Sequence, residues 1–143
     1  MIYLIIGNGP AGVSAIERIR EIDSQGKIIL VSGENNPPYS RIITPEYMAA
    51  EVEEERLFYR GSNFYEQYNV ETRLGCKVTK IIPHNKMVLL DNGEEIGYDR
   101  LLIASGSRPF VPPWADTAIK GIFTLWDKAD SEAISRHLVE TGE

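Results

Sequence analysis

Three glycines and one carboxylate hold the chemistry that can be read most directly from this chain. Gly7-Asn8-Gly9-Pro10-Ala11-Gly12 has the spacing Gly-x-Gly-x-x-Gly, and Glu34 follows about twenty positions after Gly12. In such a turn Gly7 permits the tight bend, Gly9 lets the backbone approach a pyrophosphate with no Cβ in the way, and Gly12 allows a following helix to pack closely. The backbone of Pro10 and Ala11 completes the start of that helix, where unpaired N–H groups and the positive end of the helix dipole favour an anion. Glu34 stands where a carboxylate can accept hydrogen bonds from the ribose hydroxyls of an adenosine. Glycine spacing alone fits an ordinary strand-to-helix corner equally well, so the flanking elements decide.

Those elements come in the required order. Met1 to Ile6 is an apolar strand, and the helix that opens at the turn carries Ala11, Ala15, Ile16, Ile19 and Ile22 on one face with Glu17, Arg18, Arg20 and Glu21 mostly on the other. Asp23 to Gly26 stops it, and the apolar run Ile28 to Val31 leads to Ser32-Gly33-Glu34. Strand, glycine turn, helix, strand and acid together read as a dinucleotide cradle. Asn35-Asn-Pro-Pro-Tyr-Ser-Arg41 then makes a proline-rich turn, and Thr44 to about Tyr68 mixes helix and loop. Short strands are predicted over Lys77 to Ile82, Lys86 to Leu90 and Glu95 to Tyr98, broken by Pro83-His-Asn85 and Asp91-Asn-Gly93. They form an antiparallel meander inserted into a parallel fold. The continuous apolar strand Leu101 to Ala104 suits a central position covered on both faces. Pro109 to Pro113 is extended linker, and Asp127 to Val139 reads as a last helix. The fold class is therefore α/β, a Rossmann-like parallel sheet with an inserted β-meander.

Composition narrows the partners. A chain of 143 residues with 43% hydrophobic content suits one domain with a real core. A net charge of −6 without a basic stripe argues against nucleic acid or an anionic membrane. No apolar run is long enough to span a bilayer and the opening hexapeptide lacks the features of a signal sequence, so a cytoplasmic location is expected. Cys76 is the single cysteine, which excludes an internal disulfide, and no metal site is expected. Glu51-Val-Glu-Glu-Glu55 is either a solvated face or a docking patch for a basic redox partner, the solvated face being favoured. Cys76 reads as a space-filling residue, Trp114 and Trp126 as packing residues, and His84 and His137 lack ligand spacing. Tyr39 is explained as well by packing as by a site.

Three separated motifs, the glycine turn with Glu34, Pro37-Pro-Tyr-Ser-Arg41 and Tyr98-Asp-Arg-Leu-Leu-Ile-Ala-Ser-Gly-Ser-Arg-Pro109, resemble the FAD-binding part of the pyridine nucleotide-disulfide oxidoreductase superfamily, of glutathione-reductase-like topology. The Pro-Pro-Tyr-Ser-Arg segment is similar to the Pro-Pro-x-Ser-Lys of rubredoxin and ferredoxin reductases and of nitrite reductase large subunits. Disulfide reductases carry cysteines at or slightly after this point; here Ser40 and Arg41 stand instead.

The resemblance implies FAD as cofactor and NAD(P)H as co-substrate of a full-length reductase. Electrons would leave to a small redox protein such as rubredoxin or ferredoxin, or to a partner domain such as a nitrite reductase centre. It places Ala104, Ser105 and Gly106, a variant of the family's Ala-Thr-Gly, over the dinucleotide, and the backbone near Val78 beside the adenine. Arg41 takes the place of the family lysine near flavin N5, where a cation stabilises charge on the reduced ring; a surface ion-pair arginine is the other reading. The implied division is 1–113 as the N-terminal part of an FAD-binding domain, and 114–143 as linker and helix leading to an NAD(P)-binding domain that the 143 residues do not contain. A fragment is thus expected to fold yet turn over NAD(P)H poorly, and a homodimer is an arrangement left open. Two other readings stand beside this one. One is a stand-alone non-catalytic FAD or adenine-nucleotide module. The other is a plain NAD-binding domain, against which the meander and the Ala-Ser-Gly strand count.

Overall fold

A computed structural model describes residues 1–115 and 117–142. Asp116 and Glu143, both in the stretch expected as linker and helix, lie outside the described residues. Along the chain run β1 (Ile2–Ile6), α1 (Pro10–Ile22), β2 (Lys27–Ser32), α2 (Thr44–Met48), α3 (Phe64–Gln67), β3 (Val70–Leu74), β4 (Val78–Ile82), β5 (Met87–Leu90), β6 (Glu95–Gly97), β7 (Arg100–Ile103) and α4 (Lys128–Thr141). The chain divides into two compact units: Met1–Pro38 with Arg60–Gly106, and Tyr39–Tyr59 with the residues from Ser107 onward.

In the first unit a four-stranded parallel sheet has the order β3-β2-β1-β7 and a separate antiparallel sheet the order β4-β5-β6. The expected parallel sheet with an inserted meander is observed. The run Ile28 to Val31 is buried at every position, as a strand covered on both faces must be. Leu4, Ile29 and Val31 pack with Val88, Leu90 and Ile96 of the meander into one apolar cluster. By strand alternation Ile5, Ile28 and Leu30 face the other way and are also buried, as are Val13 and Ile16 of α1. Burying each such side chain contributes about 1.5–3 kcal/mol before the entropy of ordering the chain is set against it.

Three details differ from the sequence reading. First, α1 buries Gly12, Val13 and Ile16, whereas Ala11 is exposed and Ile22 is 67% exposed. The close approach of Gly12 to the turn fixes how the helix is rotated, and the apolar stripe shifts accordingly. Arg20, assigned to the solvent face, instead donates to the carbonyls of Asp23, Gly26, Tyr68 and Asn69, closing the C-terminal end of α1. Second, Val70–Leu74 is a strand that the sequence reading left unassigned. Its residues are all half-buried, and its charges are paired: Glu71 meets Lys27 of β2 at 2.6 Å, while Arg73 meets Glu71 of its own strand at 3.0 Å and Glu94, in the turn between β5 and β6, at 2.9 Å. Charged alternation in a parallel strand is tolerated because β3 is an edge. Third, β7 is also an edge among the described residues, with Leu102 and Ile103 exposed, rather than the central strand its apolar run suggests.

The second unit is built from short pieces. Tyr39 bridges to Phe58, α2 packs beside α4, and Leu57, Thr44 and Ser131 are buried. The start of α4 is capped by Asp127, whose side chain accepts from the Asp130 N–H at 2.9 Å. Asp130 in turn accepts from the Thr124 hydroxyl and the Trp126 N–H. Trp114, expected to pack, is 85% exposed. No helix among the described residues is long and apolar enough to cross a membrane.

Candidate functional site

The glycine turn lies between the end of β1 and the start of α1, and its three glycines have different reasons to be glycine. Gly7 has φ +115°, a left-handed conformation, and its N–H donates to the Val31 carbonyl at 2.8 Å. A Cβ there would overlap the Ala104 carbonyl and come within 3.0 Å of the Ser105 nitrogen. At Gly12 a Cβ would overlap the Gly7 carbonyl and meet Ile5 Cγ2 at 3.4 Å. Both positions are thus closed by the protein's own backbone. Around Gly9 nothing lies within 4 Å of where a Cβ would stand. The packing of the chain does not demand glycine at position 9.

Gly9 is also the N-cap of α1, with no side chain capping it, and Pro10 opens the helix without an N–H to satisfy. No acidic residue occupies the first turn. The space beside Gly9 therefore faces an uncapped helix start, and the residues present fit a bound pyrophosphate.

On one side the turn is walled by the strand end that follows β7. The Ala104 N–H donates to the Ile6 carbonyl at 2.8 Å, extending the β1 and β7 pairing to the glycine turn itself. Ser105 follows against Gly7, and Gly106, at φ +69°, is exposed with open space around it. On the other side is the tip of β2. The Glu34 N–H donates to the Ser32 hydroxyl at 3.2 Å, and the Glu34 carbonyl accepts from Gly75 at 3.3 Å. Cys76 donates its N–H to the Ser32 carbonyl at 3.0 Å, so the chain entering β4 passes along this tip. Val78, at the start of β4 opposite Leu90, is half-buried against the core two residues further on. Cys76 packs against the same core, in keeping with a space-filling role.

The sequence reading missed Asn8 and Tyr65. The Asn8 amide donates to the Asn36 carbonyl at 2.9 Å, and its Oδ1 accepts from the Tyr65 hydroxyl at 3.0 Å. Tyr65 lies on a one-turn helix far along the chain, and no local signal links it to position 8.

Gly7, Gly9, Pro10, Ala11, Gly12, Glu34, Val78, Ala104, Ser105 and Gly106 all belong to the first unit; Arg41 belongs to the second. Within that unit the Arg41 guanidinium stands 5.5 Å from the Tyr39 ring centroid and 5.1 Å from that of Trp126, and donates to the Trp126 carbonyl at 3.2 Å. Trp126, read from sequence as a packing residue rather than a stacking platform, is therefore a stacking partner for a cation. The Tyr39 hydroxyl accepts from the Lys128 N–H at 3.1 Å, which fixes that ring in turn. Lys128 carries a raised pKa: burial works against its charge, but hydrogen bonds to Glu132 and Glu54 outweigh it. No cluster of potential metal ligands occurs among the described residues.

The sequence resembles known proteins over most of its length. The ferredoxin–NAD(+) reductase component of a 3-phenylpropionate/cinnamic acid dioxygenase from Photorhabdus laumondii is 31% identical over 132 residues, 92% of this chain and 34% of that protein. Rubredoxin–NAD(+) reductase from Pseudomonas putida is 28% identical over 142 residues, 99% of this chain and 37% of that protein. Among solved structures, NADH:rubredoxin oxidoreductase from Clostridium acetobutylicum superposes with a TM-score of 0.82 at 30% identity, covering 99% of this chain and 36% of that one. The chain thus spans about a third of the length of these relatives. With residues 1–141 matching the sequence pattern of the pyridine nucleotide-disulphide oxidoreductases, the chain belongs to that family.

Proposed function

We propose that this chain is the FAD-binding portion of an NAD(P)H-dependent flavoprotein reductase that delivers electrons to a small redox protein, such as a ferredoxin or rubredoxin, or to a partner redox domain. The observation that carries the reading is the contrast between the glycines. Gly7 and Gly12 answer to the protein's own backbone, whereas the open space at Gly9 faces an uncapped helix start. A glycine that the fold does not require, beside a site suited to an anion, is what a pyrophosphate-binding turn needs.

FAD, when bound, would supply the redox chemistry that links NAD(P)H to the acceptor. The residues of the chain bind and orient. The N–H groups at the start of α1 hold the pyrophosphate, Glu34 accepts hydrogen bonds from the adenosine ribose, and backbone near Val78 lies along the adenine. Ala104, Ser105 and Gly106 cover the dinucleotide from the β7 side. Arg41, a permanent cation, supplies positive charge to the flavin; its stacking on Tyr39 and Trp126 limits the orientations it can take. Ser40 stands where related disulfide reductases place thiols, which supports electron transfer to a redox protein over thiol chemistry. The ferredoxin and rubredoxin reductases among the relatives support the same acceptor class, and they weigh against a non-catalytic module.

Titration of purified protein with FAD, followed by visible absorption and flavin fluorescence, tests the reading. Saturable FAD binding that a similar concentration of NAD cannot displace is expected. Equal competition by NAD would make the chain a plain nicotinamide-binding unit.

A further inference from the structure

We infer that Tyr65 and Asn8 form a positioning bracket that sets the glycine turn for its ligand, a role that rests on the reading of that turn as an FAD pyrophosphate site. Asn8 is flanked by Gly7 and Gly9, so it sits in the most conformationally permissive stretch of the cradle. Left to itself such a stretch would have to be ordered on binding, at a conformational-entropy cost for every residue fixed. The structure shows both ends of the Asn8 side chain engaged. Its oxygen takes the Tyr65 hydroxyl from α3 at 3.0 Å, and its amide gives to the Asn36 carbonyl at 2.9 Å, two residues past Glu34.

The bracket thus joins the two contact points proposed for the ADP half of the ligand. One is the turn that receives the pyrophosphate, and the other is the loop that carries the ribose carboxylate. Fixing the spacing between them before the ligand arrives is preorganisation, which raises affinity by removing an ordering cost and adds no contact. Tyr65 is held for the task by its neighbours: its ring meets Phe64 edge-on at 5.6 Å, and Phe64 is buried. Neither Asn8 nor Tyr65 needs to touch the ligand for this role.

FAD titrations of the unmutated protein, Tyr65→Phe, Asn8→Ala and the double variant test the inference, with thermal melts of the ligand-free proteins alongside. Tyr65→Phe keeps the ring and removes only the hydroxyl. Each single variant is expected to bind FAD about tenfold more weakly with a ligand-free melting temperature close to that of the unmutated protein. The double variant should be no weaker than Asn8→Ala, because both changes cut one chain of hydrogen bonds. A purely structural role would instead lower the melting temperature and leave the affinity of the folded fraction alone, and that result overturns the inference. Unchanged affinity in both single variants, or losses that simply multiply in the double variant, also overturns it. Failure of the unmutated protein to bind FAD overturns the reading beneath it, and is distinguished by that control alone.

Discussion

The two units of this chain are stabilised in different ways, and the candidate site residues are divided between them. The first unit buries Leu4, Ile5, Ile16, Ile28, Leu30, Val31 and Val88 to within about a percent of full burial. The second leaves Ile42, Phe110, Trp114 and Val139 more than four-fifths exposed. It is ordered instead by the Arg41 stack, by Asp127 and Asp130 at the start of α4, and by Lys128 between Glu54 and Glu132. The cradle proposed for the rigid, multiply charged part of a dinucleotide is thus on the apolar core. The cation proposed to tune the flavin is on a frame of polar and aromatic contacts. A backbone cradle must not deform, because its N–H groups have fixed targets. A long cationic side chain tolerates more, and segments with few buried contacts are where local opening concentrates.

The largest effects should come from the cradle, and they should separate its glycines. Gly12→Val drives a branched side chain onto the Gly7 carbonyl, and backbone cannot move aside as a side chain tip can. A loss of about 4 kcal/mol or more is expected, read by urea unfolding followed by circular dichroism. Gly9→Val has open space, so its stability cost should be about 1 kcal/mol, that of a poorer N-cap residue, while FAD binding is lost. If Gly9→Val instead unfolds the protein as Gly12→Val does, the distinction that carries the functional reading disappears.

A second pair probes the cores. Leu30 is fully buried in β2, and Leu30→Ala should cost about 3 kcal/mol through lost burial and the cavity left behind. Trp114, although larger, is 85% exposed, and Trp114→Ser should move stability by less than about 0.5 kcal/mol. A comparable loss at both sites would mean that Trp114 is buried in solution against something that covers it.

How much of this could be read from the residues follows the same division. In the first unit period and burial agree, so β1, β2, the meander and the glycine turn are all legible from apolar runs and turn residues. Val70–Leu74 escaped because its charges mimic a loop. It is a strand because its backbone pairs in register with β2, from Ile28 opposite Val70 to Ser32 opposite Leu74, a partner distant in sequence. Asn8 carries no local signal, since its partners Asn36 and Tyr65 are set by tertiary packing alone. The Leu101 to Ala104 run misled in the other direction, because an apolar composition does not say how many strands lie beyond. In the second unit the last helix, expected over Asp127 to Val139 and observed over Lys128–Thr141, is legible, but the short pieces before it have no periodicity to read. The Pro-Pro-Tyr-Ser-Arg segment pointed to Arg41, but that Trp126 would be stacked on its guanidinium could not be seen from two residues so far apart.

A cap offers a finer probe of the second unit. Asp127→Ala removes the side chain that accepts from the Asp130 N–H, and should cost about 1 kcal/mol of helix stability. Because Asp130 also receives the Trp126 N–H, the loosening should reach the ring under Arg41. Tryptophan fluorescence of Asp127→Ala should therefore change while the cradle keeps its FAD affinity. A drop in affinity equal to that of Gly9→Val would show that the two units cannot be perturbed separately.

A further small effect is electrostatic and belongs to the edge of the first unit. The Glu71 carboxyl is held below its ordinary range by hydrogen bonds from Lys27 and then Arg73, against a smaller opposing effect of burial. Its folded pKa therefore lies beneath the unfolded value, so its contribution is fully present above the unfolded carboxylate range and is lost as pH falls through the folded pKa. Glu71 is 40% exposed, so solvent screening keeps that contribution under about 1 kcal/mol. Urea unfolding of the unmutated protein and Glu71→Gln should show a small difference at pH 7 that closes as the solution is acidified toward pH ~3. If the difference persists undiminished in acid, charge is not what Glu71 contributes. The alternation that hid β3 would then owe its stability to packing, like the strands beside it, and the edge would cease to be an exception within its own unit.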